Sequence, residues 1–447
     1  MKRALAFLML VAALVILVGH HLLVGQSTVA KSRRIAVFGS SVAYGTGDER
    51  GKEGYTGRLR TMLAPAGWEV LNRSRPGDNT LTIASRFAPS GQPLAGVRYL
   101  LPVSPAYVLL GLSLGNEGIA NASNRSERDT VYRQFEAGMK GLVERSRQHL
   151  IVPVMALCYT RNDFTAVEYE YTRRMNLAIN SWDVPSVNFL GAVDDGAGRW
   201  PEGFWSDSLH PNAAGHDELA ATFVPTLFEA LERGKARPTK STAPGFARAS
   251  GGPALTFSPG GTMHPFAMVM TVRTRLDGPV ATITGTILKS PMLTRTGAFT
   301  AVVGATNGRF TYSASNSHSI VSDTRADGNW HQIVVSHYTA RGESLFFVDG
   351  KLAGRTVERL EPTGFAIGGR PADGGEREID LKDVLIYRAA LNEDEVAALS
   401  QGTLLQASLD VFAPLRESMF TRGSAVENRA QSLAALTVGS GLSHVER

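Results

Sequence analysis

Ile35-Ala36-Val37-Phe38-Gly39-Ser40-Ser41 runs from four apolar residues straight into a turn of small ones. An unalternating apolar run suits a strand buried on both faces, and the small residues after it suit a sharp exit. The pattern recurs downstream, with candidate strands at Glu69–Asn72, Tyr107–Leu112, Ile151–Leu157 and Val187–Leu190. Helical patterns fall between and after them, near Thr56–Leu63, Glu127–Ser146, Ala166–Trp182 and Ala213–Arg233, the last opening after Pro211-Asn212 as a capped helix would. Such alternation predicts an α/β fold with a parallel sheet covered on both faces. In these sheets chemistry gathers at the carboxyl ends of the strands. Ser41, Gly77, Asn116 and the loop holding Asp207 and His210 all sit just after a strand or just before a helix.

Those residues are the candidate site. Trp205-Ser206-Asp207-Ser208-Leu209-His210-Pro211-Asn212 supplies a carboxylate and an imidazole three residues apart. A serine hydroxyl is a poor nucleophile near neutral pH until a histidine takes its proton, and an aspartate on the far ring nitrogen fixes the tautomer. Acyl transfer also builds negative charge on a carbonyl oxygen, and each preorganised donor aimed there contributes on the order of 3 kcal/mol. The Ser41 and Gly77 backbone N–H groups and the Asn116 amide are the three candidate donors, glycine at 77 allowing close approach of the acyl group. Taken singly, each has a plainer reading: Ser41 and Asn116 as helix caps, Gly77 as a turn residue, His210 as a structural histidine. His216, inside the following helix pattern, reads as a helix-face or core residue.

Four pieces in order carry a resemblance. Gly39-Ser40-Ser41-Val42-Ala43-Tyr44-Gly45, Asn72 to Thr80 with Gly77, Gly115-Asn116-Glu117 and Asp207-Ser208-Leu209-His210-Pro211 together resemble the four blocks of SGNH (GDSL-type) hydrolases, over about Arg34 to Gly234. The resemblance implies a flavodoxin-like parallel sheet, Ser41, Asp207 and His210 as a catalytic triad, and Ser41, Gly77 and Asn116 as the oxyanion hole. Two positions depart from the family pattern: Ser40 stands where aspartate is usual, and Glu117 stands where aspartate usually follows the asparagine. Altered local hydrogen bonding is the expected consequence.

After residue 234 the composition turns to Pro, Ser, Gly and Lys, so 235–252 reads as a linker between a hydrolase domain at 31–234 and a second domain at 253–447. There the hydrophobic period becomes two, as in Trp330–His337 and Ser344–Val348, and Asp349-Gly350 is a strong type I′ hairpin signal. Repeated short strands predict an all-β sandwich or jelly roll, with Leu391–Leu399 as one short helix and Gln406–Leu415 and Ala430–Val438 as returning strands. Trp330-His331, Val348-Asp349-Gly350, Asp383–Tyr387 and Leu391–Glu395 together resemble a laminin-G-like, concanavalin-type jelly roll over about Pro253 to Gly402. That resemblance implies a candidate carbohydrate surface, against the plainer reading of a structural appendage. On this reading, a fragment ending at Arg233 keeps activity on small esters.

A chain of 447 residues, 43% hydrophobic and 19% charged, has enough apolar content for two cores. Its formal charge of +5 is dispersed, with no basic block interleaved with aromatics, so no nucleic-acid partner is expected. Met1-Lys2-Arg3 followed by the apolar stretch Ala4–Val18 reads as an export signal, and residues 4–25 are nearly long enough to be a membrane anchor instead. The expected location is therefore extracytoplasmic, either secreted or periplasmic, or attached to the membrane through residues 1–30. Cys158 stands alone, so no intrachain disulfide forms. His20 and His21 lie in the export segment and the other histidines are scattered, so neither a metal nor a cofactor is expected. The sequence thus points to an exported serine esterase acting on short acyl esters, with acetyl groups on carbohydrate favoured. Its rivals are a lipid esterase or lysophospholipase, which calls for a long apolar channel beside Ser41, and a glycan-binding or adhesion protein whose hydrolase domain is inactive.

Overall fold

The computed structural model describes residues 32–289, 293–316, 318–369, 378–416, 425–439 and 441–446. The export segment expected at 1–30 lies outside them. No helix of the described residues is long and apolar enough to cross a membrane.

Five strands build the first sheet: β1 (Arg34–Gly39), β2 (Glu69–Asn72), β3 (Tyr107–Gly111), β4 (Val152–Ala156) and β5 (Ser186–Val187). All pair in parallel in the order β2-β1-β3-β4-β5, the flavodoxin-like arrangement. Alternate residues of β1 feed two cores: Ile35 and Val37 pack on one face with Leu109 and Val154, Ala36 and Phe38 on the other with Leu110 and Met155. Burial on both faces explains why the strand runs read as apolar without alternation. The helices that cover the sheet are α1 (Ser41–Tyr44), α2 (Gly54–Leu63), α3 (Thr80–Ser85), α4 (Arg125–Gln148), α5 (Ala166–Ser181), α6 (Leu190–Val193), α7 (Ala213–Ala221) and α8 (Leu227–Glu232).

Two expectations are corrected here. The fifth strand is only Ser186–Val187, and Leu190 instead begins α6. The helix expected over Ala213–Arg233 is two helices, because Pro225 has no N–H to donate and disfavours helical backbone in Val224 before it.

The second half is a sandwich of antiparallel sheets. One sheet centres on Phe266–Arg273, paired with His331–Tyr338 on one side and Glu378–Tyr387 on the other. The expected hairpin joins Glu343–Val348 to Lys351–Val357 through Asp349 and Gly350, both at positive φ (51° and 77°) as a type I′ turn requires. Met268, Met270, Val335 and Ile386 of this sheet pack against Ile283, Val303 and Phe365 of the other. The short helix is α9 (Glu393–Ser400), and Leu409–Pro414 and Leu436–Val438 return as strands.

The segment read as a linker differs from expectation. Its Phe246–Ser250 portion is a strand of the sandwich, paired with Glu378–Leu381 and Leu442–Val445. From Arg34 onward the chain packs as one compact unit. Gln406–Ser408 runs along the open edge of the parallel sheet, with Ser408 N–H donating to Ser186 O at 3.0 Å and Asn188 N–H to Ser408 Oγ at 2.8 Å. Asn188 Nδ2 donates to Glu395 Oε1 at 2.8 Å, and Leu177 of α5 packs against the outer face of the sandwich sheet. The halves are therefore welded by a buried contact rather than strung on a tether.

Candidate active site

Gly39 ends β1 opposite Gly111 of the neighbouring parallel strand β3. A side chain there would place its Cβ 2.3 Å from Gly111 O and 2.7 Å from Ala43 Cβ, so only glycine lets the chain turn into α1. Ser41 is the first residue of α1, and its N–H has no acceptor within the helix. Its hydroxyl donates to His210 Nε2 at 2.9 Å. The Nδ1–H of the same ring lies 2.9 Å from both oxygens of Asp207.

The Asp207–His210 turn holds itself in shape, the Leu209 and His210 N–H groups donating to Asp207 Oδ1 at 2.8 and 2.9 Å. Partial burial pushes the Asp207 carboxyl up. The His210 ring and these two N–H groups outweigh it and leave the carboxyl below its ordinary value. The aspartate side chain is 55% exposed and the His210 side chain only 15%, so the ring is the sheltered member of the pair.

Gly77 has a φ of +83° and open space where a Cβ would stand, so its N–H lies in a turn whose backbone conformation, rather than any lack of room, disfavours a side chain. Asn116 follows β3 in a tight capping turn. Its Oδ1 accepts the Ser113 N–H at 2.9 Å, which fixes the amide plane and leaves the NH2 end to point elsewhere. The structure thus brings Ser41, Asp207 and His210 into one hydrogen-bonded chain, with Gly77 and Asn116 on loops at the same carboxyl edge of the sheet.

The two departures from the family pattern have local consequences. Ser40 is buried and its Oγ has no hydrogen-bond partner among the described residues. Glu117 accepts from the Thr80 N–H at 3.0 Å and from the Thr80 hydroxyl, fastening the Asn116 loop to the start of α3. His216 is a core residue, as read: its Nδ1 accepts the Tyr55 N–H at 3.2 Å and its Nε2–H donates to Thr46 O at 3.0 Å. The sequence reading passed over the exit of β4, where Arg161 donates to Gly115 O at 2.8 Å and the Asn162 N–H donates to Ser208 O at 2.8 Å. The carboxyl-end rule applied to a fourth strand was the available signal.

Among the described residues there is no group of three or more His, Cys, Asp or Glu side chains placed to hold a metal. A cavity of about 990 Å³ opens between α2, α7 and the sandwich loop at Gly260–His264, and neither the serine nor the acid–base pair lines it.

Residues 37–218 match the model of the GDSL-like lipase/acylhydrolase family. Residues 281–397 match that of the concanavalin A-like lectin/glucanase superfamily. No curated protein matches the sequence. Among solved structures, the chain is similar to a protein assigned to the G-D-S-L lipolytic family from Desulfitobacterium hafniense: 15% identity over 42% of this chain and 95% of that one, TM-score 0.34. A GDSL-like lipase from Bacteroides thetaiotaomicron aligns at 15% identity over 46% of this chain and 91% of the other, TM-score 0.33. A proposed carbohydrate-binding protein from Bacteroides ovatus aligns at 14% identity over 47% of this chain and 61% of that one, TM-score 0.34.

Proposed function

We propose that the chain is a serine ester hydrolase in which Ser41 is the nucleophile, His210 the base and Asp207 its orienting carboxylate. The observation that carries this reading is the unbroken relay from Ser41 Oγ to His210 Nε2 at 2.9 Å and from Nδ1 to Asp207 at 2.9 Å. His210 takes the serine proton as Oγ attacks the ester carbonyl, then returns it to the leaving alcohol. Water repeats the sequence on the acyl-enzyme. The Ser41 and Gly77 N–H groups and the Asn116 Nδ2 donate to the oxyanion.

The substrate we propose is a short acyl ester, with an acetylated glycan as the natural form. The supporting feature is the concanavalin-like match at 281–397, in a half that is packed directly on the hydrolase. Export is part of the same proposal and rests on Met1-Lys2-Arg3 and the apolar run behind it. The test is hydrolysis of 4-nitrophenyl acetate by the full chain and by Ser41→Ala. Loss of the nucleophile is expected to lower kcat by at least about 1,000-fold in a folded protein. Wild-type turnover in that variant moves the nucleophile elsewhere, and no turnover by the native chain on a panel of acyl esters overturns the reading.

A further inference from the structure

The proposed nucleophile, oxyanion donors and acid–base pair come from separate loops, and something must set the distance between them. Asn116 is held by its own turn through Ser113, and Asp207 by its own turn through Leu209 and His210. Neither set of bonds relates one loop to the other.

The exit of β4 does. Arg161 Nη1 donates to Gly115 O at 2.8 Å, and the guanidinium lies so close that a Cβ on Gly115 would fall 2.5 Å from Arg161 Cδ. Arg161 Nε donates to Asp163 Oδ1 at 2.9 Å, which locks the fork in place, and the side chain is only 15% exposed. The next residue reaches the other loop: the Asn162 N–H donates to Ser208 O at 2.8 Å, in the middle of the Asp207–His210 turn. Asn162 Oδ1 accepts the Trp200 N–H at 3.0 Å. The Trp200 ring stacks on Tyr159 at 5.7 Å, and the Tyr159 hydroxyl lies 3.5 Å from Asn116 Oδ1. Two consecutive residues thus grip the Gly115-Asn116 loop and the Asp207–His210 turn, and a second route through Trp200 and Tyr159 closes the circuit.

We infer that Arg161 and Asn162 are positioning residues that hold the oxyanion-side Asn116 and the acid–base pair in one register. This rests on the acyl-transfer reading above and deepens it. Neither side chain is required to touch substrate. A shift of about 1 Å between donor and base is enough to cost about two orders of magnitude in rate, so loss of the Arg161 side-chain grip, or of the Asn162 Oδ1 bond that steadies the main chain whose N–H holds Ser208 O, should appear in kcat rather than in binding.

The test uses the full chain with Arg161→Met, Asn162→Leu and Asn162→Asp, the last keeping an oxygen acceptor for the Trp200 N–H. Three readouts are taken: thermal unfolding, kcat and KM on 4-nitrophenyl acetate, and the NMR signals of the His210 ring and the Asn116 side-chain amide. Arg161→Met and Asn162→Leu are expected to lower kcat about 10- to 100-fold while KM stays within about threefold. Both are expected to move the His210 and Asn116 signals together, and Asn162→Asp to restore both readouts. Folded Met and Leu variants with wild-type kcat and unmoved signals overturn the inference. So does a failure of Asn162→Asp to differ from Asn162→Leu, since the acceptor for the Trp200 N–H is then not what holds the turn in place. Should Arg161→Met fail to fold, the Asn162 pair decides. An inactive wild type would overturn the esterase reading instead, and the signals would still decide the positioning.

Discussion

At the scale of single residues, Asp207 and His216 show how local bonding sets protonation. Asp207 lies below its ordinary carboxyl value because the His210 ring and two backbone N–H groups outweigh partial burial, so it stays charged while it orients the imidazole. Asp207→Asn keeps the shape and loses the charge. It is expected to lower kcat by at least about 100-fold with little change in KM, which steady-state kinetics would show. His216 is fully buried, and burial holds its ring down at about 4 from the ordinary 6.5. Its Nδ1 accepts the Tyr55 N–H, so protonation there would set two donors against each other. Because the folded value is depressed, the stabilisation is complete above 6.5 and drains as the pH falls toward about 4. The loss is on the order of 3 kcal/mol. Urea midpoints measured across that range should fall steeply for the native chain and less for His216→Gln. A flat native profile would refute the assignment.

At the scale of elements, the edge strand β5 is the instructive one. Two paired residues leave an open row of backbone groups, which in a free sheet invites association. Gln406–Ser408 covers that edge, and Gln406 Nε2 donates to Trp182 O at 2.9 Å and Val184 O at 3.0 Å just beyond α5. Trp182 O keeps the Val184 N–H, but Gln406→Ala takes the side-chain donor from the buried Val184 O and should cost about 1–3 kcal/mol of stability, read from denaturant unfolding. The same contact changes what to expect of a fragment ending at Arg233. Composition alone suggested that it would work unaided. With β5 bare and Leu177 exposed, it should melt lower than the full chain or self-associate, as light scattering would reveal. A monomeric fragment with full-length stability would restore the detachable-domain picture.

At the scale of the whole molecule, Glu395 links stability to pH from inside the interdomain contact. Burial pushes its carboxyl up to about 8 from 4.5, against the lowering effect of the Asn392 N–H and the Asn188 amide. Because the folded value is raised, its stabilising contribution is complete below 4.5 and is lost as the pH rises through about 8. Thermal unfolding should therefore show the joined halves weakening on the alkaline side, and Glu395→Gln should flatten that arm. An identical alkaline slope in the variant would place its origin elsewhere.

The parallel sheet, four of its five strands, the hairpin at Asp349-Gly350 and the nearness of the candidate residues Ser41, Asp207 and His210 were legible because each has a local signature. Apolar runs mark buried strands, glycine marks backbone that a side chain would strain, and the short Asp207–His210 spacing allows one turn to present both groups. Local signals failed where long-range contacts decide. Nothing in 235–252 marks Phe246–Ser250 as a strand, because its partners Glu378–Leu381 and Leu442–Val445 lie more than a hundred residues away. Arg161 and Asn162 carry no motif, and their importance arises only when β4 is laid beside β3 and the Asp207–His210 turn folds back over it. The sequence by itself determined the kind of sheet and which polar side chains stand at its carboxyl edge. Tertiary structure decided how the loops are held in register and that the two halves are one body, because both depend on hydrogen bonds and apolar contacts between segments remote in the chain.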